Sequence, residues 1–265
     1  MRVTGLDLDH GAVTAVHTDH GTIGCEQLVV AAGPWVRDLW AMLDLPERID
    51  VTGRDGVVHR DRPMWTYLPL QEGTLGFDPH TFRTTDGAMP PVVHVDSDQP
   101  LHDEDGRLVT DAMWGVYYKP DFAFGGVQGG AAPLPVPRPV ADVAIDPYGP
   151  ASPEFTVGAD FVRMWTAALA HCHERFVGAA RHYRDVPSGG IGAFTPDSFP
   201  VFDTFHGGSA YVIADSNHGF KMLGVGELVA GELLGERSAQ LEPFRFARCH
   251  TGELHPVSNS PFPWS

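Results

Sequence analysis

Apolar and polar residues alternate along the first 25 positions in short runs that turn residues interrupt. Val3 to Leu8 alternates, Ala12 to His17 alternates again, and Thr22 to Cys25 forms a third run. An Asp-His-Gly triplet fills each gap, and polar residues followed by glycine are typical of tight hairpin turns. The pattern therefore predicts a small antiparallel meander.

The next segment has a different pattern. Gln27 to Gly33 is an almost unbroken apolar run that ends in glycine, which is typical of a strand buried on both faces of a parallel sheet. Pro34 is tolerated in the first turn of a helix, and Trp35 to Leu43 has helical spacing. We predict a strand, a turn and a helix.

A second strand-loop-helix unit is predicted near the C-terminus. Ala210 to Ala214 is a buried-type strand, Asp215 to Gly219 a loop and Lys221 to Leu234 a helix. Before it, the pattern predicts a strand, a flexible glycine loop, a Thr-Pro-Asp turn and a short strand. These four elements are Arg181 to Val186, Gly189 to Gly192, Thr195 to Asp197 and Pro200 to Asp203.

The middle of the chain is rich in proline, glycine and aromatic residues. Short β-prone runs there predict an antiparallel sheet, with strands at Gly56 to His59, Met64 to Leu70, Val92 to Val95, Trp114 to Lys119 and Ala123 to Val127. Ala159 to Ala180 carries apolar residues at steps of three and four and predicts the longest helix. The fold class is α/β with α+β character.

Charge and cysteine content narrow the function classes. The formal charge of −16 repels nucleic-acid phosphates and anionic membranes. The three cysteines are far apart and form no CxxC pair, which favours neither a disulfide framework nor a zinc ribbon. No apolar run approaches a membrane span, and the N-terminus lacks the apolar stretch of a signal peptide. We expect a cytoplasmic protein.

The loop before the last helix carries the candidate chemistry. Gly219 permits close approach of the backbone to a ligand, and the helix that follows points its amides into the same place. Lys221 adds a positive charge, and His218 can donate, accept or titrate. An anion-stabilising pocket and an ordinary structural turn are equally compatible with these residues alone.

The sequence has no motif for a metal site. In His171-Cys172-His173 the two histidines are two residues apart on a predicted helix, so they point to different sides and cannot bind one ion together.

Asn217-His218-Gly219-Phe220-Lys221 resembles the C-terminal flavin loop of the D-amino-acid oxidase and monomeric sarcosine oxidase family. Thr195-Pro196-Asp197 and the Ala32-Gly33-Pro34-Trp35 segment are similar to that family in order and spacing. The resemblance covers roughly residues 1 to 45 and 185 to 235. It implies an FAD-dependent oxidoreductase that oxidises the C–N bond of an amino acid or N-methyl amine by hydride transfer to the flavin.

The resemblance also implies roles for individual residues. His218 and Lys221 would be catalytic, and Lys221 would also anchor a substrate carboxylate. FAD would be contacted by Ala32, Gly33, Trp35, Thr195, Asn217, Gly219, Phe220 and Lys221. Tyr117 and Tyr118 lie in the segment that would face the substrate, although strand alternation allows only one of them to do so. No cysteine precedes Thr195 at the position of covalent attachment, so FAD is expected to be non-covalent.

One feature of that family is absent from the sequence, namely the G-x-G-x-x-G fingerprint that holds the FAD pyrophosphate. We therefore expect the chain to lack the N-terminal nucleotide-binding half. It would be the C-terminal part of an FAD/NAD(P)-binding Rossmann-like domain with an antiparallel-sheet substrate domain. A second chain could supply the missing half, and the alternative is a truncated, inactive fragment.

This resemblance assigns domains along the chain. Residues 1–48 would form part of the FAD-binding domain, and residues 49–185 a substrate domain with a mixed antiparallel sheet and a long helix. Residues 186–240 would complete the FAD-binding domain, and residues 241–265 would form a loosely ordered tail.

Overall fold

The computed structural model describes residues 1–90, 92–132, 158–214 and 222–255. The chain divides into two units. The first unit combines Met1–Thr66 with Gly192–Ser265, and the second consists of Tyr67–Ile191.

Fifteen strands and four α-helices are formed by the described residues. The strands are β1 (Val3–Asp9), β2 (Ala12–Thr18), β3 (Gly21–Gly24), β4 (Leu28–Val30), β5 (Arg48–Thr52), β6 (Val58–Pro63), β7 (Thr66–Leu75), β8 (Val93–Ser97), β9 (Leu101–His102), β10 (Leu108–Thr110), β11 (Trp114–Asp121), β12 (Gly126–Ala132), β13 (Tyr183–Phe194), β14 (Val201–Phe205) and β15 (Ala210–Ala214). The helices are α1 (Val36–Met42), α2 (Ala159–Cys172), α3 (Met222–Leu233) and α4 (Arg248–Thr251). This mixture of helices and antiparallel sheets confirms the predicted fold class.

The predicted meander is confirmed. Strands β1, β2 and β3 pair antiparallel in that order. The first hairpin turn places His10 at a φ of 49° and Gly11 at a φ of 80°, so both central residues have the left-handed backbone that a tight hairpin requires.

A second small sheet of the first unit has the order β14-β15-β4. Strand β15 lies between two neighbours and is almost entirely buried, as predicted. Strand β4 pairs parallel to β15 and lies at the edge of the described sheet. Val30 is buried, but Val29 is 42% exposed. The prediction that β4 is buried on both faces is therefore wrong in this structure, because an edge strand leaves one of its faces uncovered.

Aromatic side chains fill the core of the first unit. The fully buried Trp40 ring makes edge-to-face contacts with Trp65, Phe205 and Phe246 at centroid distances of 5.2–5.5 Å. Its indole N–H donates to the Pro46 carbonyl at 2.9 Å. The polar edge of the indole is thus satisfied while the ring stays in an apolar environment, which is what a buried tryptophan requires.

The second unit is built on a five-stranded sheet with the order β13-β7-β12-β11-β8. Side chains of β11 alternate strictly between buried and half-buried. The buried set, which includes Trp114, Val116 and Tyr118, shares one core with Phe161 and Trp165 of α2. Helix α2 therefore covers one face of this sheet through its apolar side, as its spacing predicts.

The boundaries of several elements differ from the predictions, and three of the differences have a clear physical reason. Helix α2 ends at Cys172 instead of Ala180, because His173 adopts an extended backbone and two 3-10 turns follow. Glycine content predicts a flexible loop over Gly189 to Gly192, but this stretch belongs to β13. Glycine can take part in a strand because the hydrogen bonds between strands are formed by the main chain. Ala123 to Val127 was predicted as a strand, yet β12 begins only at Gly126, after a turn in which Gly125 has a φ of 61°.

The predicted tail also differs. The prediction of a loosely ordered segment over 241–265 is wrong for residues 241–255, where Leu241, Arg248, Cys249 and Leu254 are buried. Residues 256–265 lie outside the described part of the chain. Residues 49–66 had been assigned to the substrate domain, but their contacts place the β5–β6 hairpin in the first unit, where β5 packs against α4.

Candidate functional site

Two parallel strands, β4 and β15, come directly before the two predicted flavin segments in the sequence. Strands β4 and β15 pair in register, with Leu28 opposite Ala210 and Val30 opposite Val212. The chain leaves β4 into Ala31 to Trp35, and it leaves β15 after Ala214. Because both strands run in the same direction, both connections begin at their carboxyl ends, where ligands bind in open parallel sheets.

The connection after β4 is a short turn with an accessible backbone. Gly33 has a φ of 53°, a conformation that glycine adopts without strain, and a side chain at this position would meet nothing within 4 Å. The Trp35 amide donates to the Ala32 carbonyl at 3.2 Å and closes the turn. Trp35 is 37% exposed. The turn therefore offers its main chain and one aromatic side chain to a ligand.

The connection after β15 contains both predicted catalytic residues and half of the predicted cofactor contacts. His218 and Lys221, which we expect to be catalytic, and Asn217, Gly219 and Phe220, which we expect to contact the cofactor, lie outside the described residues. The described chain ends at Ala214 before this loop and resumes at Met222, the first residue of α3. The predicted strand and helix on either side of the loop are thus confirmed.

Thr195 is placed inside the first unit and is fully buried. Its hydroxyl oxygen lies 2.7 Å from the Phe199 carbonyl oxygen and 3.1 Å from Oδ1 of Asp197. The hydroxyl is therefore used within the Thr-Pro-Asp turn itself, and neither the side chain nor the main chain of Thr195 is exposed in this structure.

Asp197 connects the same turn to the C-terminal segment. Its carboxylate accepts hydrogen bonds from Nε and Nη2 of Arg248, each 2.9 Å long, and from the amide of His255 at 3.0 Å. Burial alone would raise the pKa of this carboxyl group, but the paired Arg248 guanidinium and the amide donors lower it overall. Asp197 thus stays ionised and holds the turn in place.

In the second unit, Tyr117 and Tyr118 point to opposite faces of the sheet. Tyr118 is buried beside Phe82 and Phe176 on the side that α2 covers. Burial raises the pKa of its phenol, which is consistent with a packing role. Tyr117 lies on the other, half-buried face. Only Tyr117 therefore has the orientation that a substrate residue on the open face would need.

Tyr117 forms part of a polar cluster that spans three strands. Its hydroxyl donates to Oε1 of Glu72 on β7, and Nε2 of Gln128 on β12 donates to Oε2 of the same carboxylate at 3.1 Å. Burial, followed by the neighbouring carboxylate, raises the pKa of the Tyr117 phenol. Tyr117 therefore remains a neutral hydrogen-bond donor.

Lys119 lies two residues further along the same face of β11. Its ammonium group is 4.0 Å from Oδ2 of Asp121 and the side chain is 41% exposed. The charge is directed towards a carboxylate of its own strand, as an exposed strand-end lysine commonly is.

Several residues of these clusters were missed by the sequence analysis. Glu72 and Gln128 lie just beyond the predicted strands Met64 to Leu70 and Ala123 to Val127, and Arg248 lies in a segment predicted to be loosely ordered. Strand alternation around Tyr117 could have indicated a polar face, but not which carboxylate Tyr117 contacts.

No group of His, Cys, Asp or Glu side chains suited to a metal ion occurs among the described residues. None of the helices in the described ranges is long and apolar enough to span a membrane.

No protein-family profile matches the sequence, and no curated protein matches it. Solved structures do match. An L-proline dehydrogenase from P. horikoshii matches with a TM-score of 0.59 and 21% identity over 96% of this chain and 55% of its own. A glycine oxidase from Geobacillus kaustophilus matches with a TM-score of 0.51 and 18% identity, over 93% and 52% of the two chains.

A fructosyl amine:oxygen oxidoreductase from Aspergillus fumigatus also matches, with a TM-score of 0.53 and 13% identity over 91% of this chain and 47% of its own. The chain thus spans about half the length of the structures that it matches. At these identities the likeness concerns the fold. The chain has an FAD-dependent amino-acid oxidase-like fold.

Proposed function

We propose that this protein takes part in the FAD-dependent oxidation of the C–N bond of an amino acid or N-methyl amine. The observation that carries the proposal is the parallel pairing of β4 and β15. It brings the open Ala32-Gly33 turn and Ala214, the last described residue before the sequence segment that contains His218 and Lys221, to one edge of a sheet. The fold is shared with amine and amino-acid oxidoreductases.

The described residues fit part of such a cofactor. Gly33 leaves free space above its backbone, and the exposed Trp35 ring stands beside it, so a flat ring system could approach this turn closely. Ala32 and Gly33 would contact the cofactor through their main chain, and Gly219 and Phe220 would do so from the second connection. Bound FAD would accept the hydride that leaves the carbon beside the substrate nitrogen.

The chain's own polar residues would serve this reaction by charge and orientation. Lys221 and the first turn of the twelve-residue helix α3 would present positive charge at the same place. In this proposal Lys221 also anchors the substrate carboxylate, His218 supplies a group that can hold a proton, and Tyr117 contacts the substrate. The stretch Gly189 to Phe194, which comes directly before Thr195, contains no cysteine, so we propose that FAD is held without a covalent bond.

A retained-flavin measurement tests the proposal. The purified chain is incubated with FAD and desalted, and the flavin absorbance that remains with the protein is recorded. We expect retained flavin in the unaltered chain and reduced retention in Gly33→Val, because a branched side chain would fill the open space and strain a left-handed backbone. Gly11→Val, in a hairpin turn with the same kind of backbone, is the matched control. Absence of retained flavin would contradict binding by this chain alone.

A second candidate function is that of one subunit, or one part, of an enzyme whose remaining FAD-binding residues lie elsewhere. Val29 favours it, because parallel strands are normally covered on both faces and this side chain is 42% exposed at the edge of the described sheet. The absence of a G-x-G-x-x-G fingerprint agrees with it. Sequencing the coding region upstream for an in-frame fingerprint tests this candidate. The third reading, an inactive fragment, would be supported by failure of both experiments.

A further inference from the structure

A row of side chains crosses the half-buried face of the five-stranded sheet. Tyr117 on β11 lies directly opposite His94 on β8, with ring centroids 5.3 Å apart. In the other direction the Tyr117 hydroxyl reaches past the intervening strand β12 to Glu72 on β7. The row therefore consists of a carboxylate, a phenol and an imidazole.

Gly130 makes this reach possible. It lies opposite Tyr117 in the ladder, and a side chain at position 130 would come within 3.0 Å of Cε1 and 3.3 Å of the hydroxyl of Tyr117. Because glycine occupies the position, the phenol can lie across β12. The Tyr117 hydroxyl can therefore contact the Glu72 carboxylate, which lies two strands away.

The Glu72 carboxylate retains hydrogen-bonding capacity. Each of its oxygens accepts one bond, from Tyr117 and from Gln128. An ionised carboxylate offers about four acceptor positions, so about two remain for a ligand. Both protein donors are neutral, and no lysine or arginine in the described parts of the chain forms an ion pair with Glu72. Its negative charge is consequently not neutralised by an ion pair within those parts.

We propose that Glu72, Tyr117 and Gln128 form a recognition site for a small organic ammonium ion, either a primary or an N-methylated amine. The carboxylate would accept the N–H donors, and the aromatic rings of Tyr117 and His94 would contact the N-methyl groups by cation–π attraction. The net charge of −16 would raise the local concentration of such a cation. Identifying this ion as the amine of the substrate rests on the function proposed above, whereas its binding does not.

An NMR titration without FAD tests the site. Methylammonium chloride is added to the full chain with ¹³C-labelled aromatic residues, against sodium chloride at equal ionic strength. Saturable shifts of the Tyr117 and His94 ring signals are expected. Neutral tert-butanol and sodium acetate should not produce them. Equal shifts from tert-butanol, or no saturable shift with methylammonium, would overturn the proposal.

Two variants sharpen the test. Glu72→Gln should weaken methylammonium binding about tenfold or more, because a charged hydrogen-bond partner is lost. Glu174→Gln makes the same change of charge at an exposed position of this unit and should leave binding unchanged. If Glu72→Gln does not fold, Tyr117→Leu serves instead: it should weaken tetramethylammonium, which lacks N–H donors, more than methylammonium. Equal losses for the two ions, or tight binding by Glu72→Gln, would refute the assignment.

The outcomes separate this site from the proposed reaction. Retained flavin without methylammonium binding would contradict the ammonium site and leave the oxidoreductase proposal standing. Methylammonium binding by a chain that retains no flavin would support the site and count against flavin chemistry in this chain.

Discussion

Arg248 and Asp197 form a doubly hydrogen-bonded ion pair with both side chains at most 3% exposed. The pair joins the Thr-Pro-Asp turn to the segment around α4, across 51 positions of sequence. Arg248 also donates to the Phe199 carbonyl at 2.6 Å and to that of Phe244 at 2.9 Å. The remaining guanidinium donors are therefore used as well, which is the condition under which a buried ion pair is tolerated.

Removal of one partner should strongly destabilise the first unit. Asp197→Ala leaves the Arg248 charge buried without its counterion, and such losses cost about 3–5 kcal/mol of the free energy of unfolding. Urea denaturation followed by circular dichroism measures the change. Asp105→Ala is the matched control. Both side chains of the ion pair between Asp105 and Arg107 are more than 70% exposed, so its loss should change the free energy of unfolding by no more than about 0.5 kcal/mol.

The double variant Asp197→Leu/Arg248→Met refines this prediction. It removes both charges together and should be more stable than Asp197→Ala, because no uncompensated charge remains in the core. A double variant less stable than the single one would show that specific hydrogen bonds to the backbone, and not the ion pair, dominate.

Stability should also depend on pH through Asp197. In the unfolded chain an aspartic acid titrates near about pH 3.9. In the folded chain burial opposes ionisation, but Arg248 and the amide donors lower the pKa of Asp197 below that value. The group thus contributes its full stabilisation above about pH 4 and loses it as the pH falls through the lower, folded-state pKa. Urea midpoints measured from pH 7 to pH 2.5 should fall less steeply at the acid end in Asp197→Asn than in the unaltered chain.

The thiol of Cys249, next to Arg248, should be unreactive. The residue is fully buried, and burial raises the pKa of the thiol to about 12. Labelling with a thiol reagent at pH 8 should therefore modify the partly exposed Cys25 well before Cys249. In Asp197→Ala, labelling of Cys249 should accelerate towards the rate in the urea-unfolded chain. Rapid labelling of Cys249 in the native protein would contradict the packing of the C-terminal segment.

Trp40 should be the most sensitive aromatic position of the first unit. Trp40→Ala removes a fully buried ring that touches three other rings and should cost about 3–5 kcal/mol. Trp40→Phe retains an aromatic ring and gives up the hydrogen bond to Pro46, so a smaller loss is expected. Thermal unfolding of both variants checks this order.

The two lysines of the chain give a test of substrate recognition. If Lys221 anchors a carboxylate, Lys221→Met should lower kcat/KM about tenfold or more for a substrate with a carboxylate and much less for a simple amine. Lys119→Met removes the other lysine and should affect both substrate types alike. Equal losses for both substrate types in Lys221→Met would refute the anchoring role.

Local patterns predicted much of the first unit. The meander, strand β15 and helix α3 follow from alternation, apolar runs and glycine, all of which act over a few neighbouring residues. The edge position of β4 could not be predicted in this way, because the exposure of Val29 depends on which strands lie beside it. A run of apolar residues indicates only that burial would be favourable, and not which neighbouring strands or helices provide it.

The polar clusters escaped the sequence analysis for a related reason. Glu72 meets Tyr117 across 45 positions and Gln128 across 56, and no local periodicity connects them. Likewise, Arg248 lies beside a terminal stretch that is rich in proline and serine, a composition that predicts loose order. Its order comes from Asp197, a residue of another segment, and a single sequence does not disclose such a pairing.

Strand β12 contains three glycines at which the neighbouring strands leave no space for a side chain. At Gly126, Gly129 and Gly130 an added methyl group would collide with carbonyl oxygens of Leu75, Tyr117 and Gln71, which belong to the two flanking strands. Even alanine would push neighbouring backbones apart there. In a library with these three codons randomised and folded variants selected, we expect glycine alone to be recovered at each. Almost no substitution is therefore tolerated at these three positions in the interior of the sheet, so we expect them to stay glycine as the sequence evolves.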